Sequence, residues 1–222
     1  MNAPTLSILL PTVQNRAPTF AVLHAEVLRQ TAGKPVEVIV ACDNKEISIG
    51  KKRQNLLEQA TGEWICYIDD DDWIATDYVD QILTALANNP DCVGFLIECT
   101  TNGKMRQKAI ASMKYKQWVE QRDGYAHCRS PYQKTPIRRT LALQAGFPDM
   151  RYGEDRVFST AVTKLIKTEV FISAILYYYR YRTAEPFHAK YGVPTPPRPR
   201  PTSQRRPPHR GPIYDYKGRK VG

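Results

Sequence analysis

The chain has 222 residues, 42% of them hydrophobic and 24% charged. That is ordinary globular usage, so it excludes a fibrous or wholly disordered polymer and leaves room for one large domain and a tail. The net charge of +10 is unevenly placed: the last thirty residues hold eight basic side chains against Asp215 alone, a net +7, which leaves +3 for residues 1–192. No run approaches eighteen apolar residues and Pro11 interrupts the early apolar stretch, so neither a membrane span nor a signal peptide is expected. Five scattered cysteines without a CxxC pair argue against zinc ribbons and disulfide frameworks, and suit a reducing, cytoplasmic setting.

In chain order, residues 6–10 form a short apolar run stopped by Pro11-Thr12, and residues 36–41 form another, stopped by Cys42-Asp43-Asn44. Both read as strands buried on two faces. Between them residues 18–30 have helical spacing, with Phe20, Leu23, Val27 and Leu28 as a stripe, which makes a strand-helix-strand unit. The pattern repeats. Residues 51–60 suit a helix, residues 64–68 a third strand leading into Asp69-Asp70-Asp71-Asp72, residues 76–87 a helix and residues 93–99 a fourth strand. Residues 100–136 are less regular, rich in Lys, Tyr and Gln, and read as loops and short strands. Residues 137–145 and 153–165 read as helices, and residues 170–181 as one or two strands crowded with tyrosine.

Alternating strands and helices predict an α/β fold with a mostly parallel sheet and helices on both faces, in which ligands bind beyond the carboxyl ends of the strands. Three polar clusters fall at such ends: residues 11–16, 42–44 and 69–72. Four consecutive aspartates repel one another and need either a cation or a solvated turn. A hard divalent ion takes one or two carboxylates with water and phosphate oxygens, so the cluster suits metal-bridged binding of a diphosphate. The structural alternative is an acidic turn or helix start.

The flanking residues narrow the choice. Ser7-Ile8-Leu9-Leu10-Pro11-Thr12, then Val38-Ile39-Val40-Ala41-Cys42-Asp43, then the segment from Lys52-Arg53-Gln54-Asn55 through Thr61-Gly62-Glu63-Trp64 to Asp69-Asp70-Asp71-Asp72-Trp73 resembles, in order and spacing, the nucleotide-sugar half of family 2 glycosyltransferases with the GT-A fold. Met150-Arg151-Tyr152-Gly153-Glu154-Asp155 looks like that family's Gly-Glu-Asp segment at the acceptor site. The resemblance implies a GT-A domain over residues 1–192, with a donor half of about 1–99 and an acceptor half of about 100–192. It implies a nucleoside diphosphate-sugar donor and Mn²⁺ or Mg²⁺.

Carried over residue by residue, Pro11, Thr12, Arg16, Asp43, Arg53, Asn55, Asp69 and Asp70 would bind the donor. Asp71, with Asp69 and His188, would hold the metal. Asp155, accompanied by Glu154, would act as general base on an acceptor hydroxyl, and direct displacement would invert the anomeric configuration. Trp73 would stack near the donor sugar or belong to the core. His127 and Cys128 have no partners at metal or nucleophile spacing.

Residues 193–222 hold eight prolines, which deny helix and ladder hydrogen bonds, so this tail is expected to be disordered in isolation. It reads either as a solubilising appendage or as a device for electrostatic attachment to nucleic acid, anionic glycan or a membrane surface. The resemblance leaves the acceptor open among a glycan, lipopolysaccharide and a hydroxylated DNA base, the last being the one that the basic tail would suit. The alternative to an enzyme is a nucleic-acid-binding protein acting through the tail.

Overall fold

The computed structural model describes residues 3–181; the tail from residue 193 and His188 lie outside the described residues. The chain forms, in order, strand β1 (Leu6–Val13), a 3-10 turn (Gln14–Arg16), α1 (Ala17–Thr31), β2 (Val36–Asp43), α2 (Ile49–Gln59), β3 (Trp64–Tyr67), β4 (Trp73–Ile74), α3 (Tyr78–Leu86) and β5 (Cys92–Thr101). There follow β6 (Lys104–Ala111), β7 (Val119–Arg122), β8 (Tyr125–Arg129), β9 (Ile137–Arg138), α4 (Arg139–Ala145), α5 (Glu154–Val162) and β10 (Glu169–Tyr181).

The strands join in the order β2-β1-β3-β9-β5-β6-β8-β7, and β10 pairs with β5 and β4. β1 lies between β2 and β3 and runs parallel to both, as two successive strand-helix-strand units require. The period of two along a strand then divides the core. Leu6, Ile8 and Leu10 of β1, with Trp64 and Cys66 of β3, pack toward Leu23 and Val27 of α1 and Val79, Ile82 and Leu86 of α3. Leu9, Ile65 and Tyr67 point the other way, toward Leu56 and Leu57 of α2 and Phe158 and Val162 of α5. Helices therefore cover both faces.

Two departures from the sequence reading have physical causes. Residues 137–145, expected as one helix, begin as β9, because Ile137 pairs with Ile65 of β3 and with Cys92 of β5 and so joins the two halves of the sheet. Local propensity yields there to long-range pairing. β1 extends past Pro11 to Val13: beyond Leu9 it has lost β3 and is paired by β2 alone, and a residue without an N–H is tolerated on such an edge. That one-sided end is where the sheet opens. All five cysteines are free, four of them buried. Among the described residues no helix is long and apolar enough to cross a membrane.

Candidate active site

The end of β1, the 3-10 turn and the N-terminal half of α2 line a cleft of about 380 Å³ that also contains Asp69, Asp70 and Asp71. The α2 helix is held there at its start. The hydroxyl of Ser48 caps it by accepting from the Lys51 N–H (3.0 Å) and donates to Asp149 (2.5 Å). Gly50 lies so close to the loop before α5 that a Cβ would come within 1.9 Å of the Pro148 carbonyl oxygen. Lys52 and Arg53 precede Leu56 and Leu57 by one helical turn and are drawn inward with them. Lys52 Nζ donates to the Thr12 carbonyl (2.6 Å) and to Asp43, so Asp43 acts on the cleft wall through this lysine.

The four aspartates point to four different environments. Asp69 bonds Arg53 through Oδ1 and Lys134 through Oδ2, each at 2.8 Å. Burial would raise its pKa, but the two cations, Arg53 and Lys134, win and hold the carboxyl well below the usual carboxylate range. Asp70 is buried and accepts from the Thr12 hydroxyl (2.7 Å) and Arg16 (2.6 Å). Among the described residues Asp71 is ion-paired only with Arg16, at 3.1 Å, and its side chain is 39% exposed. Partial burial and its acidic neighbours, Asp72 first, shift its pKa upward, with Arg16 opposing. Asp72 is fully buried, with Oδ2 bound by Lys134 and the Tyr177 hydroxyl (2.8 Å) and Oδ1 by the Arg180 N–H (2.9 Å). It ties the turn to β10.

A second cleft, of about 500 Å³, opens on the other side of Arg53 and Asp69. Asp155 lines it from the first turn of α5, which Gly153 begins with a left-handed backbone (φ 79°). Trp118, Tyr132, Tyr179 and Tyr181 supply aromatic surface, while Arg129 and His127 are both paired with Glu120. Glu154 does not face this cleft. It is buried and accepts from Arg53 Nε at 3.3 Å; burial pushes its pKa up, Asp155 adds to the rise and Arg53 opposes it. Arg53 thus receives one carboxylate from β3's end and one from α5, and its buried Nη1 has no partner among the described residues.

Of the residues singled out from the sequence, Pro11, Thr12, Arg16, Arg53, Asp69, Asp70 and Asp71 line the first cleft. Asn55 lines neither cleft, because two helical steps from Arg53 turn it some 200° away. Trp73 packs partly buried against the core beside α3. Lys134 and Lys52 went unread. Lys52 had a signal, its helical spacing from Leu56; Lys134, in an irregular segment, had none.

The donor set can be judged for a metal. Among the described residues no three His, Cys, Asp or Glu side chains gather into a group that could hold an ion alone. Asp69 is ion-paired on both oxygens and Asp70 accepts on both. Among the described residues Asp71, 39% exposed and bound by Arg16 alone, is the carboxylate of the cluster with the most room for a ligand, which fits a hard divalent ion whose remaining positions go to water and phosphate oxygens.

The comparisons agree with this geometry. Residues 45–141 match the sequence model of glycosyl transferase family 2. EpsH of Bacillus subtilis (strain 168), by name a glycosyltransferase, is 27% identical over 142 residues, spanning 60% of this chain and 41% of EpsH. Two crystal structures share the fold: S. aureus TarS 1-349 in complex with UDP-GlcNAc (TM-score 0.58, 18% identity, 82% of this chain and 60% of that one) and the mannosyltransferase PcManGT from Pyrobaculum calidifontis in complex with GDP-Man and Mn²⁺ (TM-score 0.53, 16% identity, 86% and 60%). The chain therefore spans less than two thirds of each of these relatives. Residues 45–141 are thus similar to glycosyl transferase family 2, in a chain that shares the GT-A fold of these structures.

Proposed function

We propose that this protein transfers a sugar from a nucleoside diphosphate-sugar to an acceptor hydroxyl, with inversion and with a divalent metal ion. The observation that carries the proposal is the meeting of two clefts at Arg53 and Asp69, one beside the acidic turn and the other beside Asp155. The TarS and PcManGT structures hold UDP-GlcNAc and GDP-Man, which supports a nucleotide-sugar in the first cleft.

In this reading the nucleoside lies along Pro11, Thr12 and the Lys52-supported loop at Asp43. The diphosphate lies toward Arg16 and Asp71. Lys45 and Arg151, on facing loops of the same cleft, add positive charge where the diphosphate needs it. Asp71 would hold Mn²⁺ or Mg²⁺, which when bound neutralises charge on the departing diphosphate. Asp69, fixed by two cations, is placed to accept from hydroxyls of the transferred sugar. The acceptor enters the second cleft, and Asp155 takes its hydroxyl proton as the oxygen bonds to the anomeric carbon and the bond to the diphosphate breaks. Nucleoside diphosphate leaves and the anomeric configuration inverts. Glu154 orients Arg53 and touches no substrate.

The test is a screen of nucleoside diphosphate-sugars with Mn²⁺, scored by release of nucleoside diphosphate and then by transfer to glycan, lipopolysaccharide and hydroxymethylated DNA. Metal-dependent release with at least one donor supports the proposal; no release and no binding with any of them overturns it.

A further inference from the structure

We infer that Lys134 is a positioning residue whose buried ammonium stands as a fixed cation inside the acidic turn and holds Asp69 at the junction of the two clefts. This rests on the glycosyl-transfer reading. Lys134 lies between β8 and β9 and is only 4% exposed, yet it borders the second cleft. An ammonium has three protons to donate and no other way to be satisfied. Here it meets Asp69 Oδ2 at 2.8 Å, Asp72 Oδ2, and the hydroxyl oxygen of Tyr177 at 3.1 Å. That hydroxyl also accepts from the Asp69 N–H (3.1 Å) and donates to Asp72 (2.8 Å). The Tyr177 and Tyr179 rings flank the nitrogen at 4.4 and 4.8 Å, within cation–π range.

Removing a lysine from water is expensive unless carboxylates compensate, so its position is set by Asp69 and Asp72 together. The consequence falls on Asp69. One oxygen is held by Arg53 from α2 and the other by Lys134, so the carboxylate is not free to turn and any further cation brought to it would be repelled by the two already there, while it can still accept from neutral hydroxyls. Lys134 therefore does two things at once: it keeps Asp69 aimed at the cleft junction, and it leaves the divalent ion to Asp71.

A purely structural lysine, needed only to neutralise Asp72 under β10, makes a different prediction, and paired substitutions separate the two. In the full-length protein, Asp72→Asn alone leaves Lys134 on Asp69 and is expected to keep kcat within about threefold of wild type. The double variant Lys134→Met/Asp72→Asn removes both buried charges of that pair, so it melts near the wild-type temperature. With Asp69 loosened, its kcat is expected to fall by about tenfold or more with donor KM changed less than about threefold. Mn²⁺ binding without nucleotide, read by electron paramagnetic resonance, should also strengthen in the double variant, because Asp69 gains a free oxygen.

Wild-type kcat in the double variant overturns the inference, and so does a loss of about tenfold or more in Asp72→Asn alone, an arm that stands even if the double variant fails to fold. The Mn²⁺ measurement needs no donor, so unchanged Mn²⁺ binding in the folded double variant counts against Lys134 independently. Lack of turnover in wild type instead counts against the transfer reading.

Discussion

Arg53 donates to Asp69 at 2.8 Å across the base of the acidic turn, and these two side chains are the ones that border both clefts. The pair is also the mechanical joint of the site. Arg53 comes from α2 and Asp69 follows β3, while Glu154 of α5 holds the remaining Nε of the same guanidinium.

Arg53→Met should therefore cost about 3–5 kcal/mol of stability, because it leaves Asp69 short of a partner and Glu154 buried without one. Arg53→Lys should recover only part of this, since a single ammonium lacks the separate Nη2 and Nε donors with which the guanidinium reaches Asp69 and Glu154. Urea denaturation of the three proteins measures the difference. A loss under about 1 kcal/mol for Arg53→Met would show that the network contributes little.

Asp71→Asn should act oppositely on stability and activity. Its pKa is raised by partial burial and by its acidic neighbours, so ionising it in the folded state is unfavourable. The penalty is absent below the ordinary carboxylate pKa, develops as pH rises toward the folded value, and is complete above it. The variant should thus be no less stable than wild type at neutral pH, with the advantage vanishing in acid. Mn²⁺-dependent donor turnover should fall by about 10² or more. Thermal melts at pH 4 and 7, with a metal titration of turnover, check both signs.

Asp155→Asn should reduce transfer by about 10²–10⁴-fold, the span expected for loss of a general base, while nucleotide binding is retained. Its place in the first turn of α5 gives the aspartate a helix-dipole contribution of only about 0.3–1 kcal/mol, so the melting temperature should move little. Nucleoside diphosphate titration beside single-turnover transfer separates the two effects. Full transfer activity would remove Asp155 as the base.

Gly50→Ala tests whether the two loops flanking the first cleft are locked together. The added methyl would meet the Pro148 carbonyl oxygen at 1.9 Å, and the Gly50 N–H bond to Met150 O (3.0 Å) would have to lengthen. Destabilisation of about 1–3 kcal/mol, as for overpacking, should come with a higher donor KM, because Lys45 and Arg151 sit on the two loops that separate. Calorimetry and steady-state kinetics give the two readouts. A destabilised variant with unchanged KM would mean that the loops do not shape the donor site.

Much of this architecture was legible in the chain. Apolar runs of strand length separated by helical stripes dictate a layered α/β sheet: β1 and β3 bury two faces as expected, whereas β2, expected to do the same, lies at the sheet edge and is only partly buried. Polar clusters at successive strand ends then place Pro11–Thr12 and Asp69–Asp71 at one crevice, because parallel strands carry their carboxyl ends to the same edge. The inward set of Lys52 and Arg53 is likewise fixed by a helical turn to Leu56 and Leu57. What no local pattern encodes is which oppositely charged groups meet. Four adjacent aspartates repel in any chain, but that Asp70 takes Thr12 and Arg16, Asp72 takes Tyr177, and Asp69 takes Arg53 and Lys134 follows from contacts between residues 16 to 108 positions apart. Those choices depend on how closely the strands and α2 approach and on how much water remains between them. Only the folded sheet sets that distance and that dryness, and so it was the tertiary structure that left Asp71 half exposed and its neighbours bound.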